Sequence, residues 1–139
     1  MADSGFNWGS WAFVDYSGGT DIDAIDVDDE ATLTSDEVSL DDVAACEISV
    51  EWVEGNDGAC DGDVYVYVLG EDGDGDYQDI DDNIMLGCVI DATQNTTRQG
   101  RFAIDPGRFG SFKLLADNDS GQDGDLSIWK RTATIPAAS

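Results

Sequence analysis

Between Val43 and Val53 the side chains alternate with a period of two. Cys46, Ile48, Val50 and Trp52 fall on one side of an extended chain, and Glu47, Ser49 and Glu51 fall on the other. That is the pattern of an antiparallel strand with one face buried and one face wet. It recurs along the chain. In Val64 to Leu69, Val64, Val66 and Val68 oppose Tyr65, Tyr67 and Leu69. Neither of those faces is strongly polar, so this strand is expected to be central or covered by a partner. Ile84 to Ile90 reads as a third strand, with Gly87 at a bulge or a close approach. Gln99 to Asp105 sets Phe102 and Ile104 against Arg101, and Pro106-Gly107 then marks a turn. Phe109 to Ala116 sets Phe112, Leu114 and Ala116 against Ser111, Lys113 and Leu115, while Leu126 to Ile135 sets Leu126 and Ile128 against Trp129. Weaker signals lie at Trp11 to Tyr16 and Ala31 to Leu40. No window of a dozen residues sustains a 3.6 period. About eight strands separated by turn residues predict an all-β, antiparallel β-sandwich.

The first thirty residues read differently. Phe6-Asn7-Trp8-Gly9-Ser10-Trp11 is aromatic and glycine-rich, and Ser17 to Asp29 is a run of glycine and aspartate. An extended N-terminal arm with an acidic loop is expected over 1–30, the sandwich over 31–135 and a frayed tail over 136–139. The arm's aromatics have two placements open to them, on their own domain or on a neighbour.

Charge narrows the partners. The chain of 139 residues has 31 acids against 6 bases, a formal net charge of -25, and no histidine. Every base lies at or after Arg98. Such a field repels nucleic-acid phosphates and anionic membranes. It favours cationic partners, metal ions or a high-salt setting, and stability is expected to rise with salt. An acidic protein of a halophile fits the same composition. The three cysteines, Cys46, Cys60 and Cys88, match no metal-ligand spacing and read as small buried hydrophobes of a reducing cytoplasm. Met1 to Gly5 has neither a basic nor an apolar region, and no stretch reaches the ~20 apolar residues of a membrane span.

Without histidine there is no Ser-His-Asp or Cys-His arrangement, and no glycine loop runs into a phosphate-binding lysine. A non-enzymatic role is expected. Asp72, Asp74 and Asp76 have the first three ligand spacings of an EF-hand calcium loop, but Tyr77 replaces its glycine and Asn83 its bidentate glutamate. An irregular calcium site and a solvated inter-strand loop both remain open. Asn95-Thr96-Thr97 and Asn118-Asp119-Ser120 are formal glycosylation sequons; they read as chance matches. Trp52, Tyr65, Tyr67 and Trp129 suit either a carbohydrate platform or a core.

The stretch from Cys46 to Lys130 resembles short structural proteins of tailed bacterial viruses. The likeness rests on Glu47-Ile48-Ser49-Val50-Glu51, on Gly62 to Gly70 followed by Asp76-Tyr77-Gln78-Asp79, and on Phe109 to Leu115 leading into Asn118-Asp119-Ser120-Gly121. It implies a jelly-roll-like sandwich on a virion, made in the host cytoplasm and placed on the capsid surface. The expected function is capsid decoration: a homotrimer binding the major capsid protein and stabilising the shell. Phe6, Trp8 and Trp11 are the expected anchors, with Arg98, Arg101, Arg108, Lys113, Lys130 and Arg131 in interfacial ion pairs. The alternative is a tail or host-recognition module that binds carbohydrate with calcium.

Overall fold

The computed structural model describes residues 5–55, 60–92 and 97–135. Thirteen strands make it up. The short ones come first: β1 (Asn7–Trp8), β2 (Ala12–Phe13), β3 (Asp15–Tyr16), β4 (Thr20–Asp21), β5 (Ile25–Val27), β6 (Thr32–Thr34) and β7 (Val38–Ser39). The long ones follow: β8 (Ala45–Glu54), β9 (Val64–Gly70), β10 (Met85–Ile90), β11 (Thr97–Ile104), β12 (Ser111–Asn118) and β13 (Gly124–Thr134).

They form two main antiparallel sheets. One runs β1-β13-β8-β11, with β2 and β5 also paired to β13. The other runs β10-β9-β12-β6, with β7 also on β12. The chain passes from one sheet to the other after β5, β7, β8, β10, β11 and β12, so the two faces are wound together. This is the antiparallel β-sandwich that the alternation predicts.

The core lies between the sheets. Cys46, Ile48, Val50 and Trp52 of β8 meet Val64, Val66 and Val68 of β9 and Phe112, Leu114 and Ala116 of β12. Trp52 is fully buried, and its Nε1 donates to Glu54 Oε2 at 2.6 Å. A Cβ at Gly124 would overlap that ring, which accounts for the glycine at the start of β13. Gly87 combines both expected roles. The β9–β10 register slips between Leu86 and Cys88, and the Phe102 ring fills the space a Cβ would need. Strand β12 begins two residues later than predicted, because the Phe109 amide still donates to Asp105 O in the preceding turn.

The first thirty residues depart most from expectation. They are extended, but they do not form an arm separate from the sandwich. β1, β2 and β5 pair in turn with Thr134–Ala133, Lys130–Trp129 and Leu126–Gly124, along the edge of β13 that β8 leaves free. Val14 and Ile22 are in the core, bonded to Ile128 through the backbone. The hairpin β3–β4 interrupts this edge. Its turn has positive φ at Ser17, Gly18 and Gly19, and Asp36 accepts hydrogen bonds from both glycine amides. β8 takes one side of the long strand β13, and the N-terminal segment supplies backbone partners for the other. The expected tail, 136–139, lies outside the described residues.

Candidate binding face

The same parity that buries Val64, Val66 and Val68 turns Tyr65, Tyr67 and Leu69 to the outer face of the five-stranded sheet. Register then decides their neighbours. Tyr67 lies between Leu86 and Leu115, Tyr65 between Val89 and Asp117, and Leu69 beside Lys113. The two tyrosine rings are 6.3 Å apart at 19°. Both stay partly open, and beyond them Leu86 and Val89 are 48% and 44% exposed. The result is an aromatic and aliphatic strip across the sheet.

The connection after β9 makes a wall at one end of this strip. Glu71 bridges Tyr77, Gln78 Oε1 accepts from the Gly70 amide at 3.0 Å, and Gln78 Nε2 donates to Asn83 O at 3.2 Å. This closes the loop back over the sheet and covers Leu69 and Leu115, the two outward leucines that are buried. A groove of about 490 Å³ remains, lined by Thr34, Tyr77, Gln78, Asp79 and Lys113 over those leucines. The Lys113 ammonium lies 4.8 Å from the Tyr77 ring centroid. The Tyr77 hydroxyl donates to Glu37 and shares a hydrogen bond with Ser111 Oγ. Burial and then the Glu37 hydrogen bond push Tyr77 up to about 12. Burial, and after it the charge of Asp117, raises Tyr67. Burial, and then Asp119, raises Asp117. Both phenols therefore stay protonated at neutral pH and remain donors. A flat ring floor with hydroxyl, amide, ammonium and carboxylate groups around it holds a ligand by stacking and hydrogen bonds.

The residues expected at an interface are divided between the two sheets. Five of them meet on the outer face of the six-stranded sheet. Arg131 lies over Trp8 at 4.4 Å and over Trp11 at 4.9 Å, and Arg101 lies over Trp11 at 5.1 Å. Phe6 packs edge-to-face on Trp8 at 6.3 Å. Arg131 also donates from Nε to Glu47 Oε1 at 3.0 Å. These aromatics therefore cover their own domain. Lys130 lies close to Asp15 and Cys46, and Arg98 is exposed on β11. Lys113 belongs to the other sheet, and Arg108 packs on Phe109 beyond β11. Sequence separation hides this division, since Trp8 and Arg131 meet across nearly the whole chain.

The Asp72-Asp74-Asp76 loop is built on itself. Asp72 Oδ1 accepts from the amides of Asp74 at 2.7 Å and Asp76 at 3.0 Å. Among the described residues, the acidic trio whose ligand oxygens all lie within 4.8 Å of one another is Asp26, Asp28 and Asp123. All three are exposed. Contacts with Asp28, burial and the charges of Asp28, Asp123 and Asp125 raise Asp26.

Burial pushes Cys46 and Cys88 up to about 11, and burial with the Glu54 contact takes Cys60 to about 12. Cys46 is buried and the other two are half-buried. Asn118 is fully buried, so its amide is closed to glycosylation in the folded chain. No helix among the described residues is long and apolar enough to cross a membrane.

Comparison with solved structures places the molecule among β-sandwich domains. The CBM22-1 xylan-binding domain of Paenibacillus barcinonensis Xyn10C superposes with a TM-score of 0.50 at 19% identity, covering 96% of this chain and 88% of that one. The CBM22-1–GH10 modules of Clostridium thermocellum endo-1,4-beta-D-xylanase 10B, complexed with xylohexaose, give 0.41 at 14% identity, over 97% of this chain and 28% of that one. No protein-family model matches the sequence, and no curated protein matches it.

Proposed function

We propose that this chain is a non-catalytic carbohydrate-binding module that lays a neutral glycan across the outer face of its five-stranded sheet. The observation that carries the reading is the partly exposed Tyr65–Tyr67 pair, with ring centroids 6.3 Å apart and Tyr67 beside Leu115, which lines the Lys113–Tyr77 groove. Sugar rings present apolar C–H faces to such tyrosines, while Lys113, Gln78, Asp79 and Asp117 are in place to meet hydroxyls. The net charge of -25 disfavours polyanionic chains. Xylan is the first ligand to try, because the Paenibacillus domain of the same fold is a xylan-binding domain. Calcium enters this reading through the aspartate loop, since Asp76 borders the groove.

Affinity electrophoresis against a panel of soluble glycans, run in calcium and in EDTA, tests the proposal. Wild type should be retarded by at least one neutral glycan, and Tyr67→Ala should weaken that binding roughly tenfold or more, as loss of a central aromatic contact does. Equal retardation of the two proteins would remove the basis of the reading.

A second reading is favoured by β10. It is an edge strand whose outward Leu86 and Val89 are exposed, as at a surface that meets another copy or a shell. In that reading the module is a virion protein that decorates a capsid as a homotrimer bound to the major capsid protein. Sedimentation of the purified chain separates the two, since a monomer at micromolar concentration argues against the trimer.

A further inference from the structure

The six-stranded sheet has an opening of its own on the face away from the core. Trp11 and Trp129 line it together with Ser49, Gln99 and Arg101, around a space of about 250 Å³. Its aromatic walls are fixed from behind. Trp129 is stacked on Phe13 at 5.2 Å and 29°, and Trp11 is held by both Arg101 and Arg131. The two arginines are in different electrostatic situations. Arg131 is paired with Glu47, whereas Arg101 has no carboxylate partner among the described residues of a chain with 31 acids. Arg101 therefore lines this opening over Trp11 with no ion-pair partner among the described residues. Glu51, across from Gln99 in the register, borders the same face and would repel a second negative group.

We propose that this opening binds a hexuronate: a sugar ring against the indoles of Trp11 and Trp129, with its one carboxylate on Arg101, carried by an otherwise neutral glycan. The guanidinium fork matches a carboxylate through two parallel hydrogen bonds. Gln99 and Ser49 supply an amide and a hydroxyl for ring hydroxyls. A glutamate side chain of a peptide would satisfy Arg101 but leave both indoles uncovered. The site shares no residue with the tyrosine face and goes beyond the function proposed for it.

The test uses the full chain carrying Tyr67→Ala, so that the tyrosine face contributes little. Tryptophan fluorescence and calorimetry follow three titrants: a xylotetraose bearing one glucuronate, the unsubstituted xylotetraose, and hexaglutamate. The glucuronate sugar should bind about tenfold or more tightly than the unsubstituted one, and added salt should narrow the gap. Arg101→Gln should abolish the preference. Arg101→Lys keeps a cation over Trp11 but lacks the fork, and should retain only part of it. Equal affinity for the two sugars, an unchanged preference in Arg101→Gln, or hexaglutamate binding as tightly as the glucuronate sugar would each overturn the proposal. A neutral glycan that binds wild type but ignores Tyr67→Ala would instead count against the tyrosine face alone.

Discussion

Asn118 shows how much one side chain can organise. Its Nδ2 donates to Val27 O at 3.0 Å, to Asp28 O at 3.2 Å and to Gln122 O at 2.8 Å, while Oδ1 accepts from the amide and the hydroxyl of Ser120. One buried amide thus joins the end of β12, the segment after β5 and the turn into β13. Aspartate has the same shape but no donor. Asn118→Asp removes both N–H donors and sets a buried carboxylate against the Val27, Asp28 and Gln122 carbonyls, although Asp28 O keeps the Ala31 amide and Gln122 O the Ser120 hydroxyl as donors. It is expected to cost about 3 kcal/mol or more. Chemical denaturation measures this, and a loss below 1 kcal/mol would mean the network is not what joins these segments. This role left no sign in the sequence, because nothing local reveals that the amide faces the distant carbonyls of Val27 and Asp28.

At the scale of elements, the long strands were plainly legible, while the short ones gave only the weaker signals at Trp11 to Tyr16 and Ala31 to Leu40, where β2, β3, β6 and β7 lie. β8, β9, β12 and β13 each carry enough alternation to declare a buried face before any partner is known. β1, β2 and β5 have two or three residues apiece, and they pair with the edge that β13 offers them. β4 belongs to the small β3–β4 hairpin and was unreadable. The candidate face follows the same division. Parity put Tyr65 and Tyr67 together on one side of β9, but it could not say that this side stays open at the tyrosines and is covered at Leu69. That depends on the loop from 71 to 83, whose return over the sheet rests on Gln78. Trp8 and Trp11 were expected to anchor an interface with a partner, whereas in the fold they lie against Arg101 and Arg131 on strands far along the chain. Removing residues 5–13 should therefore expose Trp129 and the free edge of β13. The truncated chain is expected to melt on the order of 10 °C lower, as loss of a few kcal/mol does in a domain of this size. It should also self-associate through the exposed edge, which light scattering would detect. A truncated protein with an unchanged melting temperature and a monomeric mass would show that the segment only rests on the surface.

For the whole molecule, acidity sets the conditions under which the fold is most stable. Asp15 is raised above the ordinary aspartate range by its contacts with Asp21, Asp26 by its contact with Asp28, and Asp117 by burial. A carboxyl whose folded pKa is raised contributes stability that is fully present below its unfolded value. That contribution is lost as pH rises through the folded value. These groups therefore favour the folded state more at pH 4 to 5 than at pH 7. General repulsion among 31 acids acts in the same direction. Thermal melts at low salt should show a higher midpoint at pH 5 than at pH 7, with the gap closing in about 1 M NaCl, where the Debye length is about 3 Å. A midpoint that falls steadily from pH 7 to pH 5 would show that salt-bridged carboxylates dominate instead.

The central claim is that a neutral glycan lies across the tyrosine face of the five-stranded sheet, and amide NMR with xylohexaose tests it most directly. The account predicts dose-dependent shifts concentrated in 65–69, 77–79 and 113–117, with β8 and β13 nearly silent. Saturating xylohexaose that moves no amide in those three stretches, or moves only those of β1, β11 and β13, would contradict it.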